Sequence, residues 1–206
     1  MSDPQQLGDV VNLDDLRTGT SDSWTTAPPA VERATPPSVP SRYAVQLDQL
    51  DQSDAVAAVH RWMDGYEPGR GLLLAGPVGT GKSTLAGAVG LWLQAPYRCS
   101  FWPVGALMAA MKAEMDTPTD GYTVRQKIEK RPALVLDDLG TELPTGWQTN
   151  VLTELVAQRY DQSLTLVATT NLTPRQLEQR LGERTVSRLH EMCELVEVTG
   201  ADRRRP

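Results

Sequence analysis

The chain is poor in the residues that thiol, imidazole and metal-thiolate chemistries require. Its 206 residues include two cysteines and two histidines. Cys99 and Cys193 lie far apart, each in an apolar run. They make neither a zinc site nor a disulfide framework, and they read as buried thiols in a reducing compartment. His60 and His190 pair with no other ligand-type residues. No run of 18 apolar residues occurs, so no transmembrane helix is expected. The first residues, MSDPQQLGDV, have neither a basic start nor an apolar stretch. They do not read as a secretory signal, and a cytoplasmic location is the expectation. Positive charge is scarce as well. The formal net charge is −6, so bulk electrostatics does not advertise nucleic acid binding.

What is present is an ordinary globular composition, 40% hydrophobic and 22% charged. The length suits one domain with something left over. The surplus lies at the N-terminus. Residues 20–41 read TSDSWTTAPPAVERATPPSVPS, too polar and Pro-rich to offset the entropy of ordering. Most of the acidic surplus also falls in the first 40 residues, which hold six acids and two arginines. Within them, Leu7, Val10, Leu13 and Leu16 recur every three residues. That spacing outlines one face of a short helix over 7–17, a candidate docking element. The expected organisation is a mostly disordered acidic tail at 1–41 and one folded domain at 42–206.

From Tyr43 onward, short apolar strands alternate with helices. Strands are expected at Gly71–Ala75, Cys99–Val104, Ala133–Leu136, Leu164–Thr169 and Glu194–Val198. Helices are expected at Asp54–Met63, Lys82–Leu93, Ala106–Glu114, Trp147–Tyr160, Pro174–Leu181 and Thr185–His190. This alternation implies an α/β fold with a parallel sheet covered on both faces.

The strongest local signal is Gly76-Pro77-Val78-Gly79-Thr80-Gly81-Lys82-Ser83, followed by Thr84. It satisfies G-x-x-x-x-G-K-[ST] between an expected strand and an expected helix. Glycines let successive N–H groups turn inward onto phosphate oxygens, and the helix N-terminus favours the same charge. Lys82 is placed to reach the outer phosphates of ATP, and the Ser83 hydroxyl to ligate magnesium. The strand Leu134-Val135-Leu136 ends in Asp137 and Asp138. Asp137 is the candidate magnesium carboxylate and Asp138 the candidate base for an attacking water. Aspartate is shorter than the glutamate many ATPases use, so slow hydrolysis is expected. The strand ending Ala168-Thr169-Thr170-Asn171 offers an amide to the γ-phosphate or the lytic water. Arg188, in Ser187-Arg188-Leu189, forks bidentately and suits a developing phosphoryl charge.

Taken together, GPVGTGKST, LVLDDLGTE, ATTN, ERTVSRL and the closing GADRRR resemble the AAA+ ATPases of the DnaC-like bacterial helicase-loader and IstB-like type. The resemblance covers roughly residues 40–206. It implies a P-loop core with a five-stranded parallel sheet of order 5-1-4-3-2. It also implies Walker A at Gly76–Thr84, Walker B at Asp137–Asp138, sensor 1 at Asn171 and an arginine finger at Arg188. Sensor 2 falls among Arg203, Arg204 and Arg205, with Arg204 favoured by register. Ser41-Arg42-Tyr43 resembles the segment that passes near the adenine.

The function so implied is ATP-dependent loading of a hexameric replicative helicase onto single-stranded DNA, with self-association through Arg188. Loaders often carry a separate helicase-binding domain, for which the 7–17 segment is the candidate here. Alternatives are an IstB-like transposition helper and, from another class, a P-loop small-molecule kinase. For DNA contact, residues 112–131 hold Lys112, Tyr122, Arg125, Lys127, Lys130 and Arg131, including three of the chain's four lysines.

Overall fold

The computed structural model describes residues 39–116, 123–140 and 146–202; the 7–17 segment, Tyr122 and Arg203 to Arg205 lie outside them. Five strands form one wholly parallel sheet: β1 (Gly71–Ala75), β2 (Ser100–Pro103), β3 (Ala133–Asp137), β4 (Thr165–Thr170) and β5 (Cys193–Glu197). The order β2-β3-β4-β1-β5 is the expected 5-1-4-3-2 read from the other edge. Pro103, which cannot donate to a ladder, ends the edge strand β2.

Alternation along the strands divides the core in two. Leu72, Leu74, Val135 and Val167 point to one face, where they meet α1 (Asp54–Asp64) and α2 (Lys82–Tyr97). Leu73, Leu134, Leu136 and Leu166 point to the other. There they pack against α3 (Val104–Asp116), α5 (Gly146–Asp161), α6 (Pro174–Leu181) and α7 (Glu183–Met192). A period of two that is apolar on both sides explains why β1, β3 and β4 read as continuous apolar runs.

Local signals set the helix starts. Ser53 caps α1, its Oγ accepting from the Val56 N–H at 3.2 Å. Thr173 and Gln176 form a reciprocal capping box on α6, with Pro174 at the first helical position. Helix α2 runs four residues beyond the expected Leu93. Pro96 lies in its last turn, and Arg98 ends it in the left-handed region at φ 50°. A short helix, α4 (Val124–Glu129), was not expected. Six residues are too few for an amphipathic period, but Thr123 and Gln126 form a capping box at its start.

One buried cation braces the end of the sheet where the strands begin. Arg159, in the last turn of α5, is fully buried. Its Nη1 donates to the Arg131 carbonyl at 2.6 Å and its Nη2 to the Thr165 carbonyl at 3.0 Å. Those bonds join the α4–β3 connection to the start of β4. Burial pulls the guanidinium down to about 10, so it stays cationic at neutral pH. Both cysteines are buried, and burial pushes each thiol up to about 12, in keeping with the inert thiols expected from sequence. No described helix is long and apolar enough to cross a membrane.

Candidate functional site

The phosphate loop spans the turn from β1 to α2, with every residue of Gly76–Thr84 in place. Gly79 and Gly81 adopt φ +85° and +96°, the left-handed region a glycine enters without steric cost. The loop braces itself: the buried Thr80 hydroxyl donates to the Pro77 carbonyl at 3.0 Å. The Lys82 side chain is buried within the curve. Its Nζ donates to the carbonyls of Gly76 and Pro77 at 2.8 and 2.6 Å. Ser83 follows in the first turn of α2. Pro77 and Val78 form the exposed crest.

Beside the loop lies a shallow cleft lined by Leu50, Val56, Thr84, Leu85 and Val198 among others. Ser53, Thr80 and Thr199 complete its lining, so polar and apolar groups share its walls. The N-terminal residues at this cleft are Leu50, Ser53 and Val56. Ser41–Tyr43, which the family pattern set near the adenine, forms a 3-10 turn lying further along α2. There the Tyr43 carbonyl closes on Gly87, where a Cβ would collide with it. The Tyr43 ring packs 6.0 Å from that of Phe101.

Parallel strands bring the remaining candidates to the same edge of the sheet. The Gly76 N–H donates to the Thr170 carbonyl at 3.2 Å, so the loop springs from beside the end of β4. β3 lies on the other side of β4 and ends in Asp137. Asp137 is buried, whereas Asp138 is exposed and takes φ +69°. A non-glycine residue rarely adopts that conformation. It turns the chain sharply between the two carboxylates.

Two hydroxyls missed by sequence reading hold this turn. The buried Thr169 Oγ1 donates to Asp137 Oδ1 at 2.7 Å and accepts from the Asp138 N–H at 2.8 Å. The Thr170 Oγ1 donates to the Leu139 carbonyl at 2.9 Å, while the Leu139 N–H donates to the Thr169 carbonyl at 2.7 Å. Adjacent threonines at the tip of an apolar strand were the available signal.

Asn171 follows directly. Its Oδ1 is buried without a partner among the described residues, an acceptor an ordered water or a protonated neighbour would take up. Ser83 and Asp137 offer a hydroxyl and a carboxylate, the hard oxygen donors magnesium takes. That donor set, the glycine cradle and the orphaned amide oxygen fit a magnesium nucleotide. Such an ion would supply charge neutralisation between the phosphates.

Arg188 stands apart from this cluster. It lies on α7, 3.6 Å from Asp161 Oδ1 and with its guanidinium 5.4 Å from the Tyr160 ring centroid. Asp161 is the last residue of α5, just before β4 begins, whereas the phosphate loop sits where the strands end. The fold therefore does not bring Arg188 to its own chain's loop. Among the proposed DNA-facing cations, Arg125 is paired with Glu129 and Glu154, each at 2.8 Å. Lys112, Lys127 and Lys130 are exposed. Arg131 is partly buried, its carbonyl taken by Arg159.

Comparison with known proteins agrees with this geometry. The family model described as IstB-like ATP binding protein matches residues 49–205. A curated insertion-sequence ATP-binding protein of Sinorhizobium fredii is 33% identical over 121 residues, 58% of this chain. The match spans 39% of that relative's length. Among solved structures, the DnaC helicase loader superposes with a TM-score of 0.71 at 28% identity, covering 78% of this chain and 100% of that one. DnaI superposes with a TM-score of 0.63 at 25% identity, covering 78% and 91%. AMPPCP-bound DnaA from Aquifex aeolicus shares the fold, with a TM-score of 0.65 at 20% identity over 81% of this chain and 53% of that one.

Proposed function

The chain belongs to the IstB-like ATP-binding protein family, and from that premise we propose that it loads a replicative helicase onto single-stranded DNA. ATP acts in this reading as the switch for assembly. The observation that carries it is the placement of Arg188. It lies on an outer helix near the sheet edge opposite the phosphate loop. A site that holds Lys82, Asp137, Asp138 and Asn171 but lacks its arginine is completed by a second subunit's α7. Hydrolysis then depends on association. The match to the DnaC helicase loader, over 78% of this chain and 100% of that one, supports the loading role.

In this reading Ser83 and Asp137 hold the magnesium ion, Asp138 polarises the attacking water, and Asn171 contacts the γ-phosphate. Arg204 reads the nucleotide in its own subunit. The acidic tail, with its 7–17 segment, is the docking element for the helicase. Lys112, Lys127 and Lys130 are exposed cations on the stretch offered to DNA phosphates.

A second reading is favoured by the family model and the insertion-sequence relative: a transposition helper acting on duplex DNA with a transposase. One experiment separates the two. The full chain is mixed with a hexameric helicase, and separately with a transposase, in ATP and in ADP, with single-stranded or duplex DNA. Loading predicts ATP-dependent helicase capture that is lost on deleting residues 1–20. Capture of the transposase with filament growth on duplex DNA, and none of the helicase, replaces it with the second reading.

A further inference from the structure

We propose that Thr169 is a positioning residue for ATP hydrolysis, fixing both carboxylates of the acidic strand end through one hydroxyl. The inference rests on the ATPase reading of Asp137 and Asp138 and goes beyond it. The Thr169 Oγ1 has one proton and two lone pairs. The Asp138 N–H can only donate, and at 2.8 Å it occupies a lone pair. The single proton therefore goes to Asp137 Oδ1 at 2.7 Å. One Asp137 oxygen is thereby held within the protein.

The same hydroxyl holds the Asp138 peptide in its left-handed conformation, φ +69°, and so aims that side chain. Thr169 is buried and lies two residues before Asn171 on the same strand tip. A contact at Asn171 and the setting of both aspartates thus share one short piece of backbone. The Thr170 hydroxyl, bonded to the Leu139 carbonyl at 2.9 Å, holds the next residue of the turn without touching either aspartate side chain.

The test compares Thr169→Val with Thr169→Ser. Valine keeps the shape and removes the bonds. ATP affinity is read by fluorescent-nucleotide titration, and kcat and the half-saturating magnesium concentration by steady-state hydrolysis. Melting temperature reports folding. Thr169→Val is expected to lower kcat about 100-fold and raise the magnesium requirement several-fold, with ATP affinity within about twofold of wild type. Thr169→Ser is expected to restore most of kcat. Three results overturn the assignment: Thr169→Val hydrolysing like wild type, serine failing to rescue in a folded protein, or affinity and kcat falling together. Loss of nucleotide binding by every variant including wild type would instead sink the ATPase reading itself.

A second observation, at the opposite side of the site, carries its own inference. A Cβ on Gly79 would collide with the carboxylate of Asp202. The segment reaching it leaves β5 through Thr199 and Gly200, both exposed, with Gly200 at φ +134°. A carboxylate resting on the phosphate loop opposes the phosphate chain of a nucleotide electrostatically. The geometry points to Asp202 as a competitor that ATP displaces, so that nucleotide binding moves the C-terminal segment. Asp202→Asn is expected to bind ATP about tenfold more tightly, the gain of removing a competing state. Equal or weaker affinity would overturn this, with Lys82→Ala included to show that the binding measured is at the loop.

Discussion

Truncating Lys82 to alanine removes the only side-chain cation in the phosphate loop, while two carbonyls that held it remain. We expect at least ~100-fold weaker ATP binding, since charge-assisted bonds to phosphate are the strong ones. Asp138→Asn should separate binding from chemistry. Asp138 is exposed at the strand end, and its loss should leave ATP affinity near wild type while lowering hydrolysis about 100-fold. Fluorescent-nucleotide titration and phosphate release check both. Parallel loss of binding and hydrolysis in Asp138→Asn would mean that it supports the loop rather than acting on water. At this scale the phosphate loop was legible because its chemistry fixes residue types at fixed spacing. Thr169 was not, because a threonine at a strand tip is also ordinary β-sheet composition. Its role emerges only when β4 is laid beside β3.

Among the elements, the strands were read to within one residue at most ends, because continuous apolar runs have no alternative in a two-sided parallel sheet. Helix α4 was missed because six residues show no amphipathic period, and contacts distant in sequence add to its local capping box. The Val124 N–H is held by the Glu114 carboxylate at 2.8 Å, and Arg125 by Glu154 on α5. Arg159 was equally hidden, since an arginine near a helix end normally reads as solvated. Replacing it with alanine removes the guanidinium bonds to the carbonyls of Arg131 and Thr165 and empties its buried site. We expect a loss of about 3 kcal/mol in folding stability, from the desolvation of those groups and the void. Urea denaturation checks this. A change below about 0.5 kcal/mol would show that water or a neighbouring group satisfies them.

For the whole molecule, the proposed shared site rests on where its candidate residues lie in the fold. The sheet order places the phosphate loop, Asp137, Asp138 and Asn171 along one edge. Arg188 sits on α7 beside the last residue of α5, near the other. The sequence listed all five, but spacing along a chain does not say which residues share a site. The family resemblance supplied the idea of a finger reaching a neighbour, and the topology supplies the reason it cannot serve its own loop. The most direct test mixes two inactive variants. Asp138→Asn contributes an intact Arg188, and Arg188→Ala contributes an intact nucleotide site. If neighbouring subunits share the site, a random equal mixture should recover about a quarter of wild-type hydrolysis. A mixture no more active than its separate components, although the two variants co-assemble, would contradict the shared site.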